Sequence, residues 1–181
     1  MNGRMLKSGL AALAFGLLGG SLMAHDDDDR DRGRDNDSKF IVRADLIGYQ
    51  EVPALSTVAH GHFRALVDSK ANTITWKLSY DALEGAVQQS HVHFGQMSVN
   101  GGVSFFLCTN LSNGPVGTQT CPPGPAELTG IITPELVIGP AGQGIEAAAF
   151  AEIVAAMKDD TAYANVHSSK WQGGEIRGQL H

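Results

Sequence analysis

From residue 39 onward the chain reads as short runs in which apolar and polar positions alternate, the period of a half-buried β-strand. In residues 59–67, Ala59, Gly61, Phe63, Ala65 and Val67 fall on one face and His60, His62, Arg64 and Leu66 on the other. Ile74, Trp76, Leu78 and Tyr80 alternate in the same way with Thr73, Thr75, Lys77 and Ser79. Similar runs at 40–46, 88–94, 103–108, 126–132, 162–167 and 175–180 bring the expectation to about eight strands, punctuated by Gly and Pro. One segment breaks the pattern. Between 147 and 157, Phe150, Ile153, Val154 and Met157 recur at i, i+3, i+4 and i+7, which predicts one amphipathic helix. The expected class is all-β, a β-sandwich or flattened barrel of about eight strands with one crossover helix.

The first 38 residues follow other rules. Arg4 and Lys7 precede a Leu/Ala-rich apolar stretch, and Gly19, Gly20 and Ser21 lead to a small residue at Ala24. This is the pattern of a signal peptide over residues 1–24, with a retained N-terminal anchor as the alternative. Residues 25–38 contain no apolar side chain and hold seven Asp against three Arg. Such a segment cannot offset its ordering entropy and reads as a disordered acidic tail. The spacing of a calcium loop is absent from it, so a solubilising spacer is the simpler reading. Cleavage after Ala24 would give His25 a free amine, and amine plus imidazole can chelate copper. Residues 39–181 remain as the folded domain.

Composition narrows the function classes. The net charge of −6 argues against nucleic-acid binding, which needs a Lys/Arg surplus. A Gly-x-Ser-x-Gly elbow and a Gly-rich phosphate loop are both missing, so hydrolase and nucleotide chemistry lack support. The two cysteines, Cys108 and Cys121, bracket an aperiodic loop rich in Asn, Gly, Thr and Pro. In an exported protein a disulfide closing that loop is the natural reading, worth roughly 3 kcal/mol, with a thiolate metal ligand as the alternative. Asn110-Leu111-Ser112 is a glycosylation sequon, relevant only in a eukaryotic secretory host.

The one dense chemical constellation is His91-Val92-His93-Phe94-Gly95. In a strand His91 and His93 project from one face while Val92 and Phe94 take the other. Val and Phe belong in the core, so the imidazoles are expected on the solvent side, a ready bidentate site for copper or zinc. In 162–167, Ala162, Ala164 and Val166 form the apolar face and Tyr163, Asn165 and His167 the polar one. His167 is then also expected to face outward, as a third imidazole if the two strands are neighbours. The plain alternative is a polar strand face with incidental histidines. His60 and His62 repeat the spacing, but Arg64 follows on the same face, and they read as surface residues.

Several of these segments resemble the chordin-type (CHRD) domain. They are residues 47–53 (Ile-Gly-Tyr-Gln-Glu-Val-Pro), 90–95 (Ser-His-Val-His-Phe-Gly), 139–145, 162–168 and 173–180, and the resemblance runs over roughly 40–181. It implies an exported bacterial type of protein and says little of function. A more distant similarity is to Cu,Zn superoxide dismutase, whose first copper strand also carries His-Val-His after a Leu-Glu-Gly like that at 83–85. Val166-His167 similarly resembles the last copper-ligand strand of that Greek-key barrel. The similarity implies His91, His93 and His167 around one metal. The bridging histidine and the zinc-loop ligands of the dismutase have no counterpart, and Arg177 is the nearest candidate for its active-site arginine.

Three functions follow. The favoured one is an exported protein, periplasmic or secreted, that binds copper, or zinc, through His91, His93 and His167 for storage, delivery or tolerance. The second is an extracytoplasmic interaction or structural module without metal. The third is a dismutase-like metalloenzyme, for which the ligand set is incomplete. The partners expected are a metal ion and an unidentified protein, with no nucleic acid and no membrane after cleavage.

Overall fold

The computed structural model describes residues 38–181. The signal-peptide reading of 1–24 and the acidic tail up to residue 37, His25 included, lie outside the described residues. Eight antiparallel strands form one sheet: β1 (Lys39–Ile47), β2 (His60–Asp68), β3 (Thr73–Asp81), β4 (Val87–Phe94), β5 (Gly102–Thr109), β6 (Ala126–Ile132), β7 (Ala162–Ser168) and β8 (Ile176–Gln179). Their order across the sheet is β5-β4-β7-β8-β1-β2-β3-β6. The chain therefore builds the β1-β2-β3 meander, steps across to start β4 and β5, returns to the far edge for β6, and closes with β7 and β8 between β4 and β1.

The sheet curls until its two edges nearly meet. Gln119 sits at the seam, donating its side-chain Nε2 to the Leu107 carbonyl of β5 at 3.3 Å and to the Thr129 carbonyl of β6 at 3.1 Å. Its own carbonyl accepts the Thr109 amide at 2.9 Å. One residue thereby satisfies backbone groups on both edge strands, which would otherwise be free to pair with another chain. The result is a nearly closed, flattened barrel.

The alternation in the sequence fills its interior. Val42, Ala44 and Leu46 of β1, Phe63, Ala65 and Val67 of β2, and Ile74, Trp76, Leu78 and Tyr80 of β3 are all buried. Val92, Phe105, Leu107, Leu128, Ala164, Val166, Ile176 and Leu180 join them in one core cluster. The helix α1 (Phe150–Lys158) adds Phe150, Ile153, Val154 and Met157, the stripe its periodicity predicted. Cys108 and Cys121 form a disulfide that closes the 109–120 loop. Within that loop Asn110 is structural: its Nδ2 donates to the Val87 and Cys121 carbonyls, and its Oδ1 accepts the Cys121 amide.

The outer faces divide the barrel in two. On β1, β2 and β3 every second residue is exposed or half-buried, as an outward face requires. On β7 and β8 every residue is buried. Their outer faces are covered by three connections, 48–59, 95–101 and 169–175, and the polar side chains beneath them form a second, polar interior.

Candidate metal centre

The β4–β7 ladder sets the site. Antiparallel register places His91 opposite Asn165, His93 opposite Tyr163 and Gln89 opposite His167. Directly opposed residues share a face, so all three histidines project from the outside of the barrel wall whose inner side carries Val92 and Val166. Irregular pairing with β5 on both sides of His91 brings Phe106 against the same face. His91 meets the Phe106 ring edge to face at 4.4 Å, His167 at 5.0 Å and His93 at 5.4 Å between centroids.

The expectation that these imidazoles face solvent is corrected here. The three residues are 3%, 8% and 6% exposed for His91, His93 and His167. The face is the predicted one, but the 95–101 and 169–175 connections lie over it. Loops carry no periodic signal, and a strand pattern gives the side on which a residue lies without saying what covers it.

Two of the covering loops orient the rings. His93 Nδ1 lies 3.0 Å from the Gly101 carbonyl and His167 Nδ1 lies 2.9 Å from the Gln172 carbonyl. A carbonyl only accepts, so each Nδ1 carries the proton and each Nε2 presents a lone pair. Those two Nε2 atoms, and both ring nitrogens of His91, are buried without a hydrogen-bond partner. Leaving a buried polar atom unpaired costs about 1–3 kcal/mol, and here four such atoms gather in one place. Gly101 is required for this arrangement, because a Cβ there would collide with the Phe94 carbonyl oxygen.

Burial also keeps the rings neutral. It pushes His91 down from 6.5 to about 2, with His167 and His93 adding to the fall. His93 is pushed down to about 4, again by burial first, against the opposing pull of the Gly101 carbonyl. His167 is lowered by burial as well. Neutral imidazole is the ligating form, so the protein holds these side chains ready for a cation at pH values where an exposed histidine would be protonated.

The three residues are the one such group of potential metal ligands found among the described residues. One ligand atom from each lies within 4.8 Å of the others. Two bonds of roughly 2.0–2.1 Å span at most about 4.2 Å, so the rings would have to draw closer for all three nitrogens to share one ion. The donor set fits a borderline metal bound by imidazole. No thiolate joins it, since both cysteines are in the disulfide. His60 and His62 stay at the surface, His62 against Asp45 at 2.7 Å.

A polar layer that the strand pattern leaves unassigned continues from the histidines across β7 and β8. Asn165 donates Nδ2 to Glu51 Oε1 at 2.6 Å and to the Ile176 carbonyl at 3.0 Å. Burial pushes the Glu51 carboxyl up from 4.5 to about 7, opposed by the Asn165 hydrogen bond and the Arg177 charge. Glu175, fully buried, accepts from the Thr57 hydroxyl at 3.1 Å and the Glu84 amide at 2.7 Å through Oε1. Gln179 Nε2 donates to the carbonyls of Gly95, Asp160 and Ala162. Arg177 lines the sheet and serves the 95–101 loop. The sequence signal for this layer was available: polar residues alternate in 163–167 and again at Arg177 and Gln179, on strands flanked by aperiodic Gly-rich loops.

A nearly closed antiparallel barrel carrying three buried imidazoles under loops defines the class of structure. Residues 42–180 match the CHRD domain, and the chain belongs to that family. No curated protein and no solved structure matches the chain.

Proposed function

We propose that this CHRD-domain protein binds a copper ion through His91, His93 and His167, outside the cytoplasm, for storage, delivery or tolerance. One observation carries the reading. Four imidazole nitrogens on three neighbouring rings are buried with no hydrogen-bond partner, and a cation would satisfy three of them together, one from each ring. Zinc is the alternative ion. A closed zinc site takes four protein ligands, so with these three histidines zinc would sit in an open site with one further position.

The buried position of the nitrogens supports retention over turnover. An ion held beneath two loops suits a storage or carrier protein better than an enzyme whose substrate anion must reach the metal at every cycle. The disulfide fits an oxidising compartment, in line with export directed by residues 1–24. No helix among the described residues is long and apolar enough to cross a membrane.

Copper titration of the purified chain lacking residues 1–24, against a competing chelator, tests the proposal. A single tight site is expected in the parent chain. Combining His91→Ala with His93→Ala should weaken it by more than a hundredfold. Unchanged binding in the double variant removes the reading.

A further inference from the structure

Arg177 is 1% exposed, and its guanidinium stands 3.4 Å above the centroid of the Tyr163 ring. The other face of the site begins on the same ring: His93 stacks on Tyr163 at 4.7 Å with only 3° between the planes. Guanidinium, phenol and imidazole therefore form one column running from β8 through β7 to β4. Register explains it, since Arg177 faces Asn165, and Tyr163 faces both Gln179 and His93.

The same column clasps the loop that orients His93. Arg177 Nη2 donates to the Val99 carbonyl at 2.9 Å and the Gln96 carbonyl at 3.2 Å, and Nη1 reaches Asn100 Oδ1 at 3.4 Å. The Tyr163 hydroxyl accepts the Gly101 amide at 3.1 Å. Gly101 in turn presents the carbonyl that accepts the hydrogen bond from His93 Nδ1. Arg177 and Tyr163 thus fix three consecutive links: the loop backbone, the Gly101 carbonyl and the plane of the imidazole. A planar fork with several donors suits this task, and a lysine could not reproduce it.

We propose that Arg177 and Tyr163 are the positioning residues of the metal centre, holding His93 in the tautomer and orientation that aim its Nε2 at the ion. The proposal deepens the copper reading and rests on it for its function, but the tautomer is a property of the apo protein and can be read separately. Partners that fix a ligand histidine typically change metal affinity ten- to a hundredfold when removed.

The test uses the chain without residues 1–24, as Arg177→Gln, Arg177→Lys and Tyr163→Phe variants. Imidazole 15N shifts of the apo proteins give the tautomers of His93 and His167. In the parent chain both should be protonated at Nδ1. In the variants His93 should lose its uniform tautomer while His167, held by Gln172, keeps it; general loosening would move both. Copper should dissociate roughly ten- to a hundredfold faster, with Arg177→Lys failing to restore the parent rate. An unchanged His93 tautomer in the folded variants overturns the proposal. Should Arg177→Gln not fold, Tyr163→Phe, which keeps the ring and removes only the hydroxyl, decides alone. A parent chain that binds no copper sinks the metal reading while the tautomer shifts still judge the positioning role.

Discussion

Glu51 accepts a 2.6 Å hydrogen bond from the side chain of Asn165, a residue 114 positions away that faces His91 across the β4–β7 ladder. The contact ties the 48–59 connection to the polar face on which the histidines lie. It also leaves a carboxyl group in surroundings that disfavour its charge.

The first prediction concerns that carboxyl. Burial raises Glu51 from 4.5 to about 7, so the fold prefers its protonated form. Its contribution to stability is complete below pH 4.5 and is lost as pH rises through 7. Glu51→Gln keeps an acceptor for Asn165 and cannot ionise. Thermal melts at pH 5 and pH 8 should show the variant gaining on the parent chain at the higher pH. A difference that does not change with pH contradicts this.

The histidines act in the opposite sense. Their folded values lie below 6.5, so the stability they contribute is present above 6.5 and is lost as pH falls through about 4, where His93 takes up its proton. Urea midpoints of the apo protein should drop between pH 6.5 and 4, with Glu51 offsetting part of the fall. His91→Leu with His93→Leu should flatten the drop. Copper affinity should follow the same values. An exposed histidine site would lose its ion near pH 6.5, whereas this one should retain it to lower pH, because all three imidazoles are held below 6.5.

Removing the disulfide tests the 109–120 loop. Cys108→Ser with Cys121→Ser opens a closure spanning 13 residues, for a loss of about 3 kcal/mol. Chemical denaturation of the oxidised parent and the double variant measures it, and a loss under about 1 kcal/mol would show that the loop is held by other contacts.

Asn110 gives a prediction about modification. Its amide donates to two carbonyls, and its oxygen accepts the Cys121 amide. A glycan on Nδ2 would break that arrangement, so the chain expressed through a eukaryotic secretory route should carry no sugar at this sequon by intact mass. Asn110→Ala should cost about 2–3 kcal/mol, the scale of several lost hydrogen bonds with a buried partner left unpaired.

Much of this was legible in the chain. Strands such as β2 and β3 declare themselves because one face is solvated and the other packed, and α1 because its apolar stripe keeps the helical period. The trio His91, His93 and His167 followed from the same rule, once β4 and β7 were taken as neighbours. Their burial did not follow, because it depends on the 95–101 and 169–175 connections, whose course is fixed by tertiary hydrogen bonds. Arg177 illustrates the limit. Its alternation marks the correct face, but two of the groups it serves are the Gln96 and Val99 backbone carbonyls, which have no side-chain signature. It stacks on Tyr163 and holds the 95–101 loop.

The central claim is that three imidazoles, one of them from a remote strand, close on a single ion. X-ray absorption at the copper edge of the loaded protein measures this directly. The account predicts three nitrogen neighbours near 2.0 Å with the outer-shell scattering of three imidazole rings, falling to two in His167→Ala. A spectrum with fewer than three imidazoles in the parent chain, or one unchanged by His167→Ala, would contradict it.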